Sequence, residues 1–327
     1  MGPVRSLDGE APMTRWDQAR QLLGIRRRES DCAGADSLRV GSACEAVRAA
    51  TESRSSRAGS ICVVSGKGGT GKSSVSASLA ALLARRGRTL LLDADLGCAN
   101  AHILQDVHPE HTFADVIAGR VDLESIVTPC ANGVELLAGG SGFARLAGLK
   151  VFELEMIGRG LQRLEPSYDH LVVDSAAGLS RQTVAFAAAC DASLLVTTPD
   201  VTAMTDAYAF LKVFARQCAA QGIARPMPYL VVNRAESQEE AEQVARRLQD
   251  VVGKFLGARI ELLAVLPDDR AAFRAIQRRS TVVDSEPDSE LSRAIAKLER
   301  GVVGRLARTE TRAAGARLAQ AAHARGH

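Results

Sequence analysis

Apolar residues in this chain fall into short unbroken runs, Ile61-Cys62-Val63-Val64 and Leu90-Leu91-Leu92 among them, set between longer stretches with helical spacing. Runs of that length without alternation mark strands covered on both faces, as in a parallel sheet packed between helices. The pattern predicts strands at 60–65, 89–93, 134–137, 170–174, 193–198, 229–233 and 260–265. It predicts helices over 72–86, 150–164, 180–189, 202–219, 237–256, 269–278 and 289–307. Strands and helices therefore alternate throughout residues 59–300. That alternation describes a single α/β domain, a doubly wound and mostly parallel sheet with helices on both faces. In such sheets ligands sit at the carboxyl ends of the strands.

The pattern weakens at both ends. Thr14 to Arg28 places Trp16, Ala19, Leu22 and Leu23 on one stripe of a short amphipathic helix, so residues 1–28 form a segment of their own. Residues 29–58 are rich in Ser, Ala, Gly and Arg without a sustained period and read as a flexible linker. Residues 301–327 form a basic tail, a candidate amphipathic membrane-targeting segment. No internal repeat is visible.

An apolar share of 46% supplies a core, and an aromatic share of 4% leaves its packing to small aliphatic side chains. The first 58 residues carry a net +2 and the last 27 a net +4, which leaves 59–300 at −3. A slightly acidic core lacks the basic face of a nonspecific DNA binder, so no direct nucleic-acid contact is expected. The seven cysteines, at 32, 44, 62, 98, 130, 190 and 218, include no CxxC pair. That fits a reducing compartment rather than a disulfide framework or a zinc site. With no 18-residue apolar run and no signal-like apolar stretch in the first 30 residues, the sequence reads as cytoplasmic.

Directly after the first β-branched run comes Ser65-Gly66-Lys67-Gly68-Gly69-Thr70-Gly71-Lys72-Ser73-Ser74. A strand, a glycine-rich loop and a helix start in that order are the context of a phosphate-binding P-loop. Gly66, Gly68, Gly69, Thr70 and Gly71 let successive N–H groups turn toward phosphate, and the helix start adds its dipole. Lys72 then faces the β- and γ-phosphates, the Ser73 hydroxyl faces Mg²⁺, and Ser74 continues the cradle. Lys67, beside the first glycine, is a second lysine that an ordinary P-loop does not need.

Two other predicted strands end in carboxylates, at Asp93-Ala94-Asp95 and at Asp174-Ser175-Ala176-Ala177-Gly178. Asp174 reads as the acid that holds Mg²⁺ through its water shell. Asp95 can orient or deprotonate an attacking water, and Asp93 can support the metal or the loop. One Asp at a strand end is usually a cap or turn residue; three beside a P-loop shift that balance.

KGGTGKS, DADLG-x-AN (Asp93 to Asn100) and DSAAG together resemble the deviant Walker A ATPase family that includes MinD, ParA and the nitrogenase iron protein. Thr197-Thr198-Pro199-Asp200, followed by Thr205-Asp206-Ala207-Tyr208-Ala209 and Leu211-Lys212, is similar to its FlhG (FleN) branch of flagellar number regulators. The resemblance covers residues 60–300. Asp17-Gln18-Ala19-Arg20-Gln21-Leu22 is also similar to the DQAxxL segment with which that branch begins, with Leu23 where the branch has Arg.

The resemblance implies ATP and Mg²⁺ as ligands and an ATP-dependent homodimer in which Lys67 reaches the partner's phosphates. It makes Asn233 the adenine-reading amide, with Pro267 and Asp268 closing over the base. It implies slow ATP hydrolysis and a role in flagellar number and placement. The N-terminal segment would stimulate a signal-recognition-type GTPase like FlhF. Flagellar C-ring proteins or a flagellar transcription regulator would be further partners. A MinD-type division-site regulator, a ParA-type partition ATPase and a non-hydrolysing nucleotide-binding adaptor remain alternatives.

The chain departs from the family after Asn100, with His102 where an Asp is usual and Gln105-Asp106 where Leu-Gly is usual. At the C-terminus Leu291, Ile295, Leu298, Val302 and Leu306 share one helical stripe with Arg and Lys elsewhere. By resemblance that helix binds an anionic membrane surface reversibly; Leu291 to Leu298 fit a last core helix equally well.

Overall fold

The computed structural model describes residues 59–95, 99–139, 151–220, 222–223 and 225–324, with backbone alone for 151–155 and 308–324. The N-terminal segment at 1–28 and the linker at 29–58 lie outside the described residues.

The expected α/β architecture is present. Eight strands, β1 (Gly59–Val64), β2 (Thr89–Ala94), β3 (Val127–Pro129), β4 (Val134–Leu137), β5 (His170–Ser175), β6 (Ala192–Thr197), β7 (Tyr229–Ala235) and β8 (Leu262–Pro267), form one sheet. Their order is β3-β4-β2-β5-β1-β6-β7-β8. All pairs are parallel except β3–β4, a three-residue antiparallel edge that the apolar pattern does not predict. The helices are α1 (Lys72–Ala84), α2 (Ala101–Leu104), α3 (Phe113–Ile117), α4 (Val151–Leu164), α5 (Arg181–Ala189), α6 (Val201–Ala220), α7 (Gln238–Leu256), α8 (Arg270–Gln277), α9 (Val282–Ser285) and α10 (Glu290–Ala324).

Alternation along each buried strand divides the core into two layers. Cys62 and Val64 face one side with Leu92 and Val173, where Phe210 and Phe214 of α6 and Leu248 of α7 cover them. Ile61 and Val63 face the other with Leu91 and Val172, under Leu79 and Leu83 of α1 and Ile295 and Leu298 of α10. Because both faces are covered, the strands read as continuous apolar runs.

Local chemistry sets the helix ends. The Ser180 hydroxyl accepts from Thr183 N at the start of α5, and Ser237 accepts from Glu240 N at the start of α7. Gly257, at φ 60°, stops α7 in the left-handed conformation that glycine tolerates best. Thr112 and Asp115 form a capping box on the short α3, another element that apolar spacing does not reveal.

At the C-terminal helix the structure decides only the role of the apolar stripe up to Leu306; the side chains of 308–327 lie outside the described residues. The helix runs past residue 300 to Ala324 without a break. Leu291, Ile295, Leu298, Val302 and Leu306 are all buried against the sheet and α1. That stripe belongs to the core, because the face of α1 and β8 it covers is itself apolar, and it is not available to a membrane. No helix among the described residues is long and apolar enough to cross one.

Candidate functional site

β1, β2 and β5 are adjacent in the sheet, so their carboxyl ends bring the glycine loop, Asp93 and Asp174 together. Asp93 and Asp174 are direct register partners on neighbouring strands. The loop between β1 and α1 turns through two left-handed glycines, Gly69 at φ 81° and Gly71 at φ 88°. Two of its glycines lie against other groups. A Cβ on Gly66 would fall 2.3 Å from the Asp206 carbonyl carbon of α6, and one on Gly71 would fall 2.3 Å from Asn233 Nδ2. Gly68 and Gly69 meet nothing within 4 Å and leave the loop's face open.

Lys72 is 7% exposed, and its Nζ donates to Asp174 Oδ1 at 2.8 Å. The Ser76 hydroxyl, one turn along α1, donates to the same oxygen at 2.9 Å. Ser73 Oγ lies 3.4 Å from Lys72 Nζ. Asp93 is fully buried and uses both oxygens on backbone, accepting from Asp95 N at 3.1 Å and from Ala101 N at 3.0 Å. It therefore fixes both ends of the segment that follows β2. Burial, then the neighbouring Asp174 charge, pushes the Asp93 carboxyl up to about 7.

Two buried carboxyl groups thus share one buried ammonium, and burial with crowding raises Asp93 because a second negative charge there is costly. A divalent cation beside the P-loop hydroxyl would relieve that crowding. The Thr70 hydroxyl is also buried in the loop without a hydrogen-bond partner. The residues present fit Mg²⁺ and phosphate.

A cleft of about 600 Å³, open to solvent, runs from the loop between α1 and α8. Gly71, Ser74, Asn233, Arg234, Pro267 and Asp268 line its end near the loop. The structure therefore brings together the phosphate loop and the three residues expected at the base. Asn233 is buried and donates one Nδ2 hydrogen to Thr70 O at 2.8 Å, which leaves its carbonyl and second N–H for a ligand. Arg234 takes φ 56° at the bulge between β7 and β8.

Lys67 lies apart from Lys72. Its Nζ donates to Asp200 Oδ1 at 2.8 Å and to Thr202 Oγ1 at 2.7 Å. Asp200 also accepts from the Thr198 hydroxyl and caps α6 through Ala203 N at 2.8 Å. Those contacts, the Lys67 ammonium first, hold its carboxyl well below the usual range. Asp200 stands in the Thr197–Asp200 motif of the sequence, where no local pattern names its partner. Its signal is the position just before α6, where an Asp caps a helix. Beside it Val201 is 70% exposed, and Leu179, next to the loop-bonded Gly178, is also exposed.

Residues 61–283 match the family model of the CobQ/CobB/MinD/ParA nucleotide binding domain. The chain belongs to that family. It is 35% identical over 233 residues to the antiactivator FleN of Pseudomonas aeruginosa, across 71% of this chain and 81% of FleN. It is 28% identical over 251 residues to the flagellum site-determining protein YlxH of Helicobacter pylori, across 75% and 82%. The identity and coverage with FleN place this MinD/ParA-type chain in the FleN/FlhG branch. Among solved structures, the Pyrococcus horikoshii septum site-determining protein MinD, complexed with Mg-ADP, matches with a TM-score of 0.61 at 28% identity. That match spans 75% of this chain and 96% of MinD.

Proposed function

We propose that this chain is a Mg²⁺-dependent ATP hydrolase whose ATP-bound form pairs with a second copy, and that the switch governs flagellar number and placement. The placement of the two lysines supports this reading best. Lys72 sits in the cradle on Asp174, whereas Lys67 is held at the surface by Asp200, beside exposed Val201. A cation held by a partly exposed carboxylate is inexpensive to release, and a second copy's phosphates would replace that partner. An exposed apolar pair beside the loop suits burial between copies.

Within one subunit, Lys72 exchanges Asp174 for phosphate oxygens. Asp95, at the end of β2, orients or deprotonates the attacking water. Asn233 with Pro267 and Asp268 reads the adenine edge, while Gly66 to Ser74 wrap the phosphates. Ser73 and Asp174 would hold Mg²⁺, partly through water and with Asp93 behind them, and the cation so held would offset phosphate charge. Turnover is slow, because the output is a dimer of limited lifetime. Loss of the γ-phosphate removes the bridge and releases the dimer. The flagellar role rests on the relatives named FleN and YlxH. On the same basis the partners are an FlhF-type GTPase, engaged through residues 1–28, and flagellar C-ring proteins or a flagellar transcription regulator.

Sedimentation of the Asp95→Ala protein tests the switch. We expect a dimer with saturating Mg·ATP and a monomer with Mg·ADP; a monomer in both sinks the reading. Lys67→Ala should lose the dimer and lower kcat by about a hundredfold while ATP affinity stays within about threefold. Equal loss of affinity in Lys67→Ala and Lys72→Ala would contradict the cross-subunit role. Deleting residues 1–28 should spare basal hydrolysis and abolish stimulation of an FlhF-type GTPase.

A further inference from the structure

Among the described residues, three that are not glycine take the left-handed backbone conformation: Asp106 (φ 48°), Arg234 (φ 56°) and Arg279 (φ 52°). Two of them meet. Arg279 Nε lies 3.0 Å from Asp106 Oδ1, and the same guanidinium reaches His108 Nε2 at 3.3 Å.

Both residues occupy the same place in the same motif. Asp106 ends α2, where Val107 N donates to His102 O and Asp106 N to Ile103 O. Arg279 ends α8, where Ser280 N donates to Ala275 O and Arg279 N to Ile276 O. This nested pair of bonds is the helix stop that glycine fills by preference, because a Cβ strains the left-handed turn. The chain forgoes glycine at two helix ends far apart in sequence and places opposite charges there that find each other.

Stability does not explain that choice. Each left-handed side chain adds strain, and the pair is 65% exposed at Asp106 and 42% at Arg279, where an ion pair returns little. Position does explain it. Leu104, two residues before Asp106, and Ile276, three before Arg279, both line the cleft. The ion pair joins those two walls. It ties the end of the segment that begins at Asp95 to the helix that follows Pro267 and Asp268.

We propose that Asp106 and Arg279 form a clasp, a positioning pair that fixes residues 101–106 against the base-side helix and, through the Asp93 carboxyl that accepts from both Ala101 N and Asp95 N, keeps Asp95 aligned for hydrolysis. The clasp rests on the ATPase reading above for its effect on turnover, but not for its effect on the segment itself.

Arg279→Gly tests it without touching the segment's own sequence. Its melting temperature should be no lower than wild type, because glycine relieves the turn. In the nucleotide-free protein, amide exchange over residues 101–107 should rise about fivefold. The kcat for ATP should fall about fivefold with KM within about twofold. Asp106→Gly should lower kcat alike, and the reversed pair Asp106→Arg with Arg279→Asp should return exchange and kcat to within about twofold of wild type. Unchanged exchange or unchanged kcat in Arg279→Gly overturns the clasp. So does a fall in melting temperature and kcat together that the reversed pair does not repair. A wild-type protein that does not hydrolyse ATP would sink the ATPase reading instead, and the exchange measurement would then decide the clasp alone.

Discussion

Lys72→Ala should abolish ATP binding and also weaken the protein without any nucleotide. The second effect follows from the 2.8 Å contact with Asp174, whose side chain is 2% exposed. Removing one partner of a buried ion pair leaves the other charge without compensation, at a cost of about 3 kcal/mol. Ser76, which donates to the same Asp174 oxygen, softens the loss. ATP affinity should fall by more than about a hundredfold, because the phosphates lose the buried Lys72 ammonium. The two effects separate in the double variant Lys72→Ala with Asp174→Asn. Chemical denaturation should show most of the stability restored, since the Asp174 charge that lost its partner is removed as well and Asp93 keeps its two backbone N–H donors, while calorimetry still finds no ATP binding. ATP binding within tenfold of wild type in Lys72→Ala would refute the assigned role of the lysine.

Gly66→Ala should be as damaging, for a steric reason. The added Cβ would lie 2.3 Å from the Asp206 carbonyl carbon, 2.4 Å from its oxygen and 2.7 Å from Ala207 N. These are backbone atoms within α6, which Ala207, Phe210 and Phe214 seat in the core. Neither side can yield cheaply, so the loop must move off the helix. We expect about 2–3 kcal/mol of lost stability, in the range of overpacked core sites. Displacing the loop also carries Lys67 away from Asp200. Gly68→Ala is the control, because its Cβ would meet nothing within 4 Å. Its stability should stay within about 0.5 kcal/mol of wild type. If thermal unfolding shows the two variants equally stable, the close approach of the loop to α6 is not a constraint.

Much of the architecture was legible in the residues. Continuous apolar runs marked the central strands because both faces of the sheet are covered. The glycine loop was legible because phosphate binding imposes a local backbone shape that few residue types allow. The elements that escaped notice lack such a local requirement. β3 is three residues long and ends in Pro129, so its pairing with β4 is set by the neighbour rather than by its own composition. The apolar stripe of α10 looked alike for a membrane and for a core, because both are apolar surroundings. Only the face presented by α1 and β8 distinguishes them.

The site divides in the same way. By itself the sequence nominated the candidate side chains: Lys67, Lys72, Ser73, Asp93, Asp95 and Asp174 stand in or beside motifs whose spacing is local, and the family resemblance added Asn233. Tertiary structure decided what each one touches. It paired Lys72 with Asp174, gave Asp93 to the backbone of its own loop, placed Lys67 on Asp200, and joined Asp106 to Arg279 across the cleft. A motif constrains the few residues whose backbone it shapes, whereas a contact between charges depends on the fold bringing distant segments within a few ångströms, which no local pattern encodes.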